Sequence, residues 1–289
     1  MRQLWLWLVL AVVPVAVQLS DGNWFWCGVV AVACTLLGWL AWNYGKWEWR
    51  WGRLARYGVL VALLGSLLGL SEGSWPGSEH IAVPLVLLVL AAWSAGKGAR
   101  SCAAVGCVLG WFVLAGYIAL ILAGVKDARL EWLRPEWMGT SWDAACVLLA
   151  PVVAAAMGRP EDRWGGRLMV PYLVVVAAAV LSGAVMAGRG SFYEMCRSLE
   201  FLGVAKRFEA VVSALMTVGW FGWVSFCLTM CGSVLKERRK AGIYAAAVIA
   251  GVMLLCKVHI NPVWLVVSVT IFWVFVPVLE QGIGAEKKS

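Results

Sequence analysis

Few residues in this sequence are of the types that catalyse reactions or bind metals. Histidine occurs twice, at His80 and His259, and the sequence contains no HExxH zinc motif, no GxSxG nucleophile motif and no cluster of aspartates. The nine cysteines form no CxxC pair, and all but Cys196 lie in or beside apolar segments, where cysteine packs as a small apolar residue. We therefore expect no catalytic residue, no metal and no cofactor, and a membrane enzyme is only an alternative.

The polar groups that are left for chemistry are one amide and several hydroxyls within apolar segments. Gln18 can both donate and accept hydrogen bonds, and so can the hydroxyls of Ser66, Ser213 and Thr217. Ser213 and Thr217 are four residues apart, so they lie on one face of a helix and could line a cavity. This set is typical of a site that binds a small polar solute.

The elements that must position these residues are membrane helices. The chain is 62% hydrophobic and 14% charged, with a mean hydropathy of +0.83, whereas a soluble domain carries about 25% charged residues. Apolar runs of roughly 15–25 residues recur from end to end, which is the length that crosses a bilayer. The net charge is +8, but the basic residues lie in short loops between the runs. The charge therefore indicates topology and not nucleic-acid binding.

Glycine, proline and charged residues divide the chain into about ten apolar segments, which predicts an all-α polytopic membrane protein with one transmembrane domain over residues 1–289. Most basic residues fall in loops on the side of the N-terminus, so the positive-inside rule places both termini in the cytoplasm. The first segment also resembles a signal peptide, whose cleavage would leave nine spans. The predicted spans are 4–19, 24–42, 55–71, 81–96, 102–124, 142–157, 168–188, 209–235, 241–257 and 262–279.

Proline lies in the middle of two apolar segments at matching positions. Pro14 is in the first segment and Pro151 is in the sixth, and proline removes a backbone donor and kinks or breaks a helix. These segments open two halves, about 4–124 and about 142–279, each with five spans. An odd number of spans gives the halves opposite orientations in the membrane. Proline-interrupted helices at the start of each half are typical of inverted-repeat transporters, whose substrates bind near the midplane.

The stretch 191–206 predicts an extracellular amphipathic helix before the eighth span. One face is apolar and the other is polar or charged. We expect the helix to lie along the membrane with its apolar face on the helix bundle, where it could cover the outer vestibule of a transporter. The apolar face comprises Phe192, Met195, Cys196, Leu199, Leu202 and Gly203, and the polar face comprises Glu194, Arg197, Ser198 and Glu200.

The segment SFYEMCRSLEFLGVAKRFEAVVSALMTVGWF, which begins at Ser191, contains a (Y/F)-x-x-x-R-x-(I/L) pattern, then R-x-E-A, then a tryptophan. The residues in these patterns are Tyr193, Arg197, Leu199, Arg207, Glu209, Ala210 and Trp220, with further matches at Arg2, Gln3, Asp21, Trp24, Gly98 and Arg100. The segment resembles the spore germination permease family, the B subunits of germinant receptors in the amino acid–polyamine–organocation transporter superfamily. The resemblance is close after Ser191 and looser elsewhere.

This resemblance implies a LeuT-like fold of five plus five spans, with interrupted helices one and six, that binds a small solute such as an amino acid. It also implies a membrane-anchored A-type partner, a lipoprotein C-type partner and a place in the spore inner membrane. The sequence departs from the family at Val13 and Pro14, which stand where the family has a glycine-containing stretch. No charged residue is expected well inside a span, where a proton-coupling residue would lie. Transporter, ligand sensor and purely structural subunit all stay open.

We predict that the solute binds between the stretches 13–18 and 149–153, with spans three and eight as walls. Backbone groups freed at a break need a partner in hydrocarbon, which a ligand can supply, and a half-helix N-terminus favours a carboxylate. The identity of the ligand and any coupling ion stay open. The predicted binding residues are Pro14, Val15, Ala16, Val17, Gln18, Ser66, Leu149, Ala150, Pro151, Val152, Ser213 and Thr217.

Overall fold

The computed structural model describes residues 4–20, 22–44, 50–71, 81–135, 141–157, 166–187, 191–198 and 209–280. Within these ranges the chain forms helices joined by turns, and no residue is in a β-strand. A π-helical turn, Ile271–Phe275, continues the last helix, which then runs to residue 280. The α-helices are α1 (Leu4–Leu19), α2 (Trp24–Tyr44), α3 (Arg50–Leu70), α4 (Ala82–Lys97), α5 (Ala99–Gly124), α6 (Trp142–Leu148), α7 (Ala150–Met157), α8 (Val170–Met186), α9 (Phe192–Ser198), α10 (Glu209–Val234), α11 (Arg239–Leu255) and α12 (Pro262–Thr270).

The apolar helices make this an all-α, multi-pass membrane protein. Six helical stretches of the described chain are long and apolar enough to cross a bilayer, and α1, α4 and the α6–α7 pair are shorter apolar helices. Each of the ten predicted segments is helical, while the number that cross the membrane stays a prediction. The six long stretches are Trp24–Asn43, Gly52–Leu70, Ala99–Asp127, Arg167–Met186, Ala210–Val234 and Pro262–Glu280.

Helix α1 lies in the interior of the bundle. Every one of its residues from Leu6 to Val17 is buried, and the helix packs against α5, α10, α8 and α6. A helix that is apolar on all its faces is stable only where other apolar surfaces enclose it. The rest of the bundle is therefore arranged around α1.

Glycines on the two main neighbours of α1 allow a close approach. On α5, a Cβ atom at Gly110 would collide with the carbonyl oxygen of Leu6. On α10, a Cβ atom at Gly219 would collide with the ring of Pro14, and Gly222 faces α1 in the same way. Small residues let helix backbones come together and gain van der Waals contact, which drives association in membranes.

The predicted interruption of the first helix at Pro14 is wrong. The α-helix is continuous from Leu4 to Leu19, with Pro14 inside it. Proline removes the hydrogen bond to the carbonyl four residues earlier, here that of Leu10. Because Gly219 leaves room for the proline ring and the helix is enclosed on every side, packing keeps α1 helical despite the missing bond.

The sixth segment does contain an interruption. It consists of α6 and α7, which meet at Leu149, two residues before Pro151. At the start of α6, the Ser141 hydroxyl accepts a hydrogen bond from the backbone N–H of Ala144 at 3.2 Å, which is an N-cap. The two prolines therefore have different effects in helices of similar composition.

Helix α9 begins at a capping box. The Glu194 backbone N–H donates to the Ser191 hydroxyl at 3.3 Å, and the Ser191 N–H donates to the Glu194 carboxylate at 3.1 Å. Phe192, Met195 and Cys196 are buried, whereas Glu194 is exposed. This part of the helix has the two faces that the spacing predicts.

The second half of the predicted amphipathic helix, 199–206, lies outside the described residues. The described part, α9, packs against α8 and α10 and also contacts α1 and α5. Four helices therefore meet beneath one short helix.

We expect that Gly110→Ala will destabilise the protein by about 1–3 kcal/mol, the usual cost of an extra methyl group in a packed core. The new Cβ atom would force α5 away from the Leu6 carbonyl. The measurement is thermal unfolding in detergent. Gly28→Ala is the matched control, because an added Cβ meets no atom within 4 Å there. Equal melting temperatures for the two variants would contradict the close packing of α1 and α5.

Candidate functional site

A hydrogen bond between α1 and α10 links the only amide of α1 to the eighth predicted span. The Trp220 indole N–H donates to Gln18 Oε1 at 3.1 Å. Trp220 is fully buried and Gln18 is partly buried. The amide N–H₂ group of Gln18 is a separate pair of donors.

The two hydroxyls predicted on the eighth span lie on the same helix as Trp220. Thr217 Oγ1 donates to the backbone carbonyl of Ser213 at 2.8 Å, which is the usual way for a helical threonine to use its proton. Gln18, Trp220 and Thr217 therefore belong to one region where α1 meets α10.

The break between α6 and α7 has its own polar partner. The Tyr172 hydroxyl of α8 donates to the carbonyl oxygen of Leu148, the last residue of α6, at 2.9 Å. Both residues are buried. A carbonyl at a helix end is costly in an apolar interior unless a donor satisfies it, and Tyr172 supplies that donor from another helix.

Helix α9 and helix α5 each contribute one ring to an aromatic pair. The Phe192 ring stacks on the Tyr117 ring of α5, with centroids 5.3 Å apart and an interplanar angle of 14°. The Tyr117 hydroxyl is buried and has no hydrogen-bond partner among the residues that the structure describes. Burial raises the pKa of the nearby Cys196 thiol to about 12, so this cysteine stays a neutral apolar group.

The predicted binding residues of α1 and of the α6–α7 pair are packed and not open. Pro14 to Val17 and Leu149 to Val152 are all buried. Gln18 is the predicted α1 residue that makes a side-chain hydrogen bond to another helix. The structure brings Gln18 together with α10, and it brings the α6–α7 break together with Tyr172.

Ser66 lies in different surroundings from the other predicted residues. Its hydroxyl oxygen accepts a hydrogen bond from the backbone N–H of Ile260 at 3.1 Å. It lines a pocket of about 190 Å³ that also includes Lys257 and His259. In the described part of the chain, none of the other eleven predicted residues lines that pocket.

Arg56 is a buried charged residue near the start of the third predicted span. It lies inside α3 and is only 6% exposed. Its Nε donates to the backbone carbonyl oxygen of Phe272 at 2.9 Å, and its guanidinium lies 4.7 Å from the centre of the Trp273 ring. The partner carbonyl belongs to the π-helical turn, and such turns are frequent at functional sites.

Other residues of the region were also missed, for a common reason. Trp220, Tyr172 and Tyr117 look like ordinary aromatic residues of apolar spans, because their partners are remote in sequence. Gln18, for example, is 202 residues from Trp220. For α9, the S-x-x-E pattern at Ser191 was an available signal for the helix start.

Metal binding has no evident site in the ranges given above. No three His, Cys, Asp or Glu side chains of those ranges are grouped closely enough to hold an ion.

Comparisons with known proteins do not assign a family. No protein-family model matches the chain, and no curated protein matches it. The resemblance to spore germination permeases therefore stays a hypothesis that rests on the motif residues alone.

We expect a measurable coupling between Gln18 and Trp220. In a double-mutant cycle of Gln18→Ala, Trp220→Phe and the double variant, the interaction free energy should be about 0.5–1.5 kcal/mol, as for a buried neutral hydrogen bond. Unfolding of the purified protein in detergent measures it. Strict additivity of the two single effects would show that this bond contributes nothing.

We expect Tyr172→Phe to destabilise the protein by about 1–3 kcal/mol, because the buried Leu148 carbonyl loses its donor. Amide hydrogen exchange at 149–153 should accelerate more than elsewhere. Tyr244→Phe is the control, since Tyr244 is 49% exposed and should shift stability by less than about 0.5 kcal/mol. If hydrogen exchange accelerated equally along the whole chain, the hydrogen bond from Tyr172 would not stabilise the α6–α7 break locally.

Proposed function

We propose that this protein is a permease-like membrane subunit with a five-plus-five inverted repeat, which binds a small solute and acts as a germinant-receptor subunit or a transporter. The spans are α1 to α5 in the first half, and α6 with α7, α8, α10, α11 and α12 in the second. Each span of one half then has a counterpart in the other half. The proposal depends on how these counterparts contact one another.

The spans nearest to a two-fold axis must touch their own counterparts. Four of the five do: α1 contacts α6, α2 contacts α8, α3 contacts α10, and α4 contacts α11. Contacts of this kind are expected when two similar halves are related by an axis between them. They therefore support the inverted repeat.

Contacts between non-equivalent spans also recur when the halves are exchanged. The contact of α1 with α5 corresponds to that of α6 with α12, and the contact of α1 with α8 corresponds to that of α7 with α2. The contact of α3 with α11 likewise corresponds to that of α10 with α4. This recurrence is the observation that carries the proposal, because nothing in apolar composition alone requires it.

Three contacts depart from the exchange, and the first is that of α4 with α5, which α11 and α12 do not repeat comparably. The other two involve α10. Helix α10 packs closely on α1 and on α11, whereas α3 does not pack comparably on the α6–α7 pair or on α4. The glycines of α10 that face α1 explain its close packing on α1. The asymmetry places α10, with Trp220 and Thr217, closer to the centre than its counterpart.

In this proposal the solute binds where Gln18, Trp220 and Thr217 approach the α6–α7 break. The start of α7 is a helix N-terminus within an apolar interior, and a helix N-terminus favours a carboxylate. An amino acid is the expected ligand class, with an affinity of about micromolar to millimolar. Helix α9 would cover the site from outside, with both chain termini in the cytoplasm.

The partners follow from the same proposal. A subunit with this fold would assemble with a membrane-anchored A-type subunit and a lipoprotein C-type subunit in the spore inner membrane. A structural subunit without a ligand is the second candidate, and one observation favours it. Residues 13 to 17 of the predicted binding stretch of α1 are all buried.

The test is a thermal-shift and calorimetric screen of the full-length protein against amino acids, nucleosides and sugars. We expect an amino acid to stabilise the protein, and Gln18→Ala to weaken its binding at least tenfold. Asn43→Ala is the control, because the Asn43 amide is exposed and donates to the carbonyl of Trp39 in its own helix. Uptake into liposomes then separates a transporter from a sensor.

Two results would contradict the proposal. A ligand that binds equally to Gln18→Ala and Trp220→Phe variants has its site elsewhere. Absence of any ligand, with co-purified partners present, supports the structural subunit.

A further inference from the structure

The pocket that contains Ser66 lies between α3 and the turn that joins α11 to α12. Its volume is about 190 Å³, which corresponds to roughly six water molecules at about 30 Å³ each. The apolar wall includes Met253 and Leu254 of α11, and Gly69 of α3 also lines it. A space of this size suits a molecule of a few heavy atoms with a short apolar part.

A buried hydroxyl points to a polar ligand in this pocket. Ser66 is 1% exposed, and its oxygen accepts from the Ile260 N–H at 3.1 Å. The hydroxyl proton is a separate donor. The bond to Ile260 orients the hydroxyl and ties the turn to α3, so the donor position is fixed by the fold.

One charged side chain, that of Lys257, lines the pocket together with His259. Among the described residues, no aspartate or glutamate lines it. Lys257 has a φ angle of 51°, a left-handed conformation in which glycine is usual at a helix end. Backbone bonds from Lys257 N to Leu254 O at 3.1 Å and from Val258 N to Met253 O at 2.8 Å hold this turn. A strained non-glycine residue that persists at a cavity is a reason to look for a function there.

We propose that this pocket binds a small carboxylate with a short alkyl chain. The carboxylate would accept hydrogen bonds from the Ser66 hydroxyl and from the Lys257 ammonium, and the His259 imidazole supplies a further polar group. The alkyl chain would lie against Met253 and Leu254. The site goes beyond the proposed function, because it is built from α3 and α11, and binding to it does not require transport.

The glycine at position 69 makes a sharp test possible. A Cβ atom there meets nothing within 4 Å, so Gly69→Leu should fill the pocket without displacing a neighbour. Gly28→Leu adds the same side chain to α2, where an added Cβ also meets nothing within 4 Å. Lys257→Asn removes the charge and keeps a residue that tolerates the left-handed conformation.

The experiment measures butyrate binding to the full-length protein in nanodiscs of zwitterionic lipid, by calorimetry or saturation-transfer NMR. We expect millimolar or tighter binding, a loss of at least tenfold in Gly69→Leu and Lys257→Asn, and no change in Gly28→Leu. Ser66→Ala should weaken binding about threefold to tenfold. Butyramide, which lacks the charge, should bind at least tenfold more weakly than butyrate.

Three outcomes would overturn the proposal. The first is unchanged butyrate binding in Gly69→Leu. The second is equal binding of butyramide. The third is no binding in zwitterionic nanodiscs together with a Lys257-dependent preference for anionic lipid, which would assign the pocket to a lipid phosphate. Gln18→Ala should leave butyrate binding unchanged, so this test and the test of the proposed function fail independently.

Discussion

The close packing of α1 against α5 and α10 is the constraint on which the remaining structure depends. No side chain of α1 before Gln18 carries a charge, a hydroxyl or an amide, so polar bonds cannot fix most of its length. In a bilayer, lipid tails are as apolar as the helix, and association depends on van der Waals contact. Gly110 and Gly219 provide that contact by letting the backbones approach. The depth and rotation of α1 follow from these glycines, and the meeting of Gln18 with Trp220 follows from the rotation.

Sparse polar bonds then set how the outer helices sit on this centre. The Tyr57 hydroxyl donates to the Gly242 carbonyl at 2.8 Å and ties α3 to α11. Arg56, one residue earlier, ties α3 to the π-helical turn that follows α12, and Tyr172 ties α8 to α6. The acceptor of each bond is a backbone carbonyl. Such a bond therefore fixes the position of one helix along another, and not only which faces meet. Such bonds select one register among several that apolar packing would allow.

The sequence predicts the helical class and the position of nearly every helix, because apolar runs and their boundaries are local properties. The sequence predicts the candidate site less well, because the hydrogen-bond partners of its residues are distant in the sequence. Pro14 and Pro151 look alike in sequence, yet only the segment of Pro151 breaks, where Tyr172 can satisfy the Leu148 carbonyl. Arg56 falls at the start of the predicted span 55–71, but its burial does not follow from that position, because its carbonyl partner lies 216 residues away. Neither outcome can be derived from a window of neighbouring residues.

The π-helical turn in the last span has a mechanical consequence. A π turn holds about one residue more than an α turn, and one residue corresponds to a rotation of about 100° about the helix axis. If the surplus residue moved along the helix, the residues between its old and new positions would rotate and shift by one position. The hydrogen bond from Arg56 to the carbonyl of Phe272 lies within the π-helical turn and fixes the position of the surplus residue. The face that this part of the last span presents to its neighbours therefore depends on a side chain of α3.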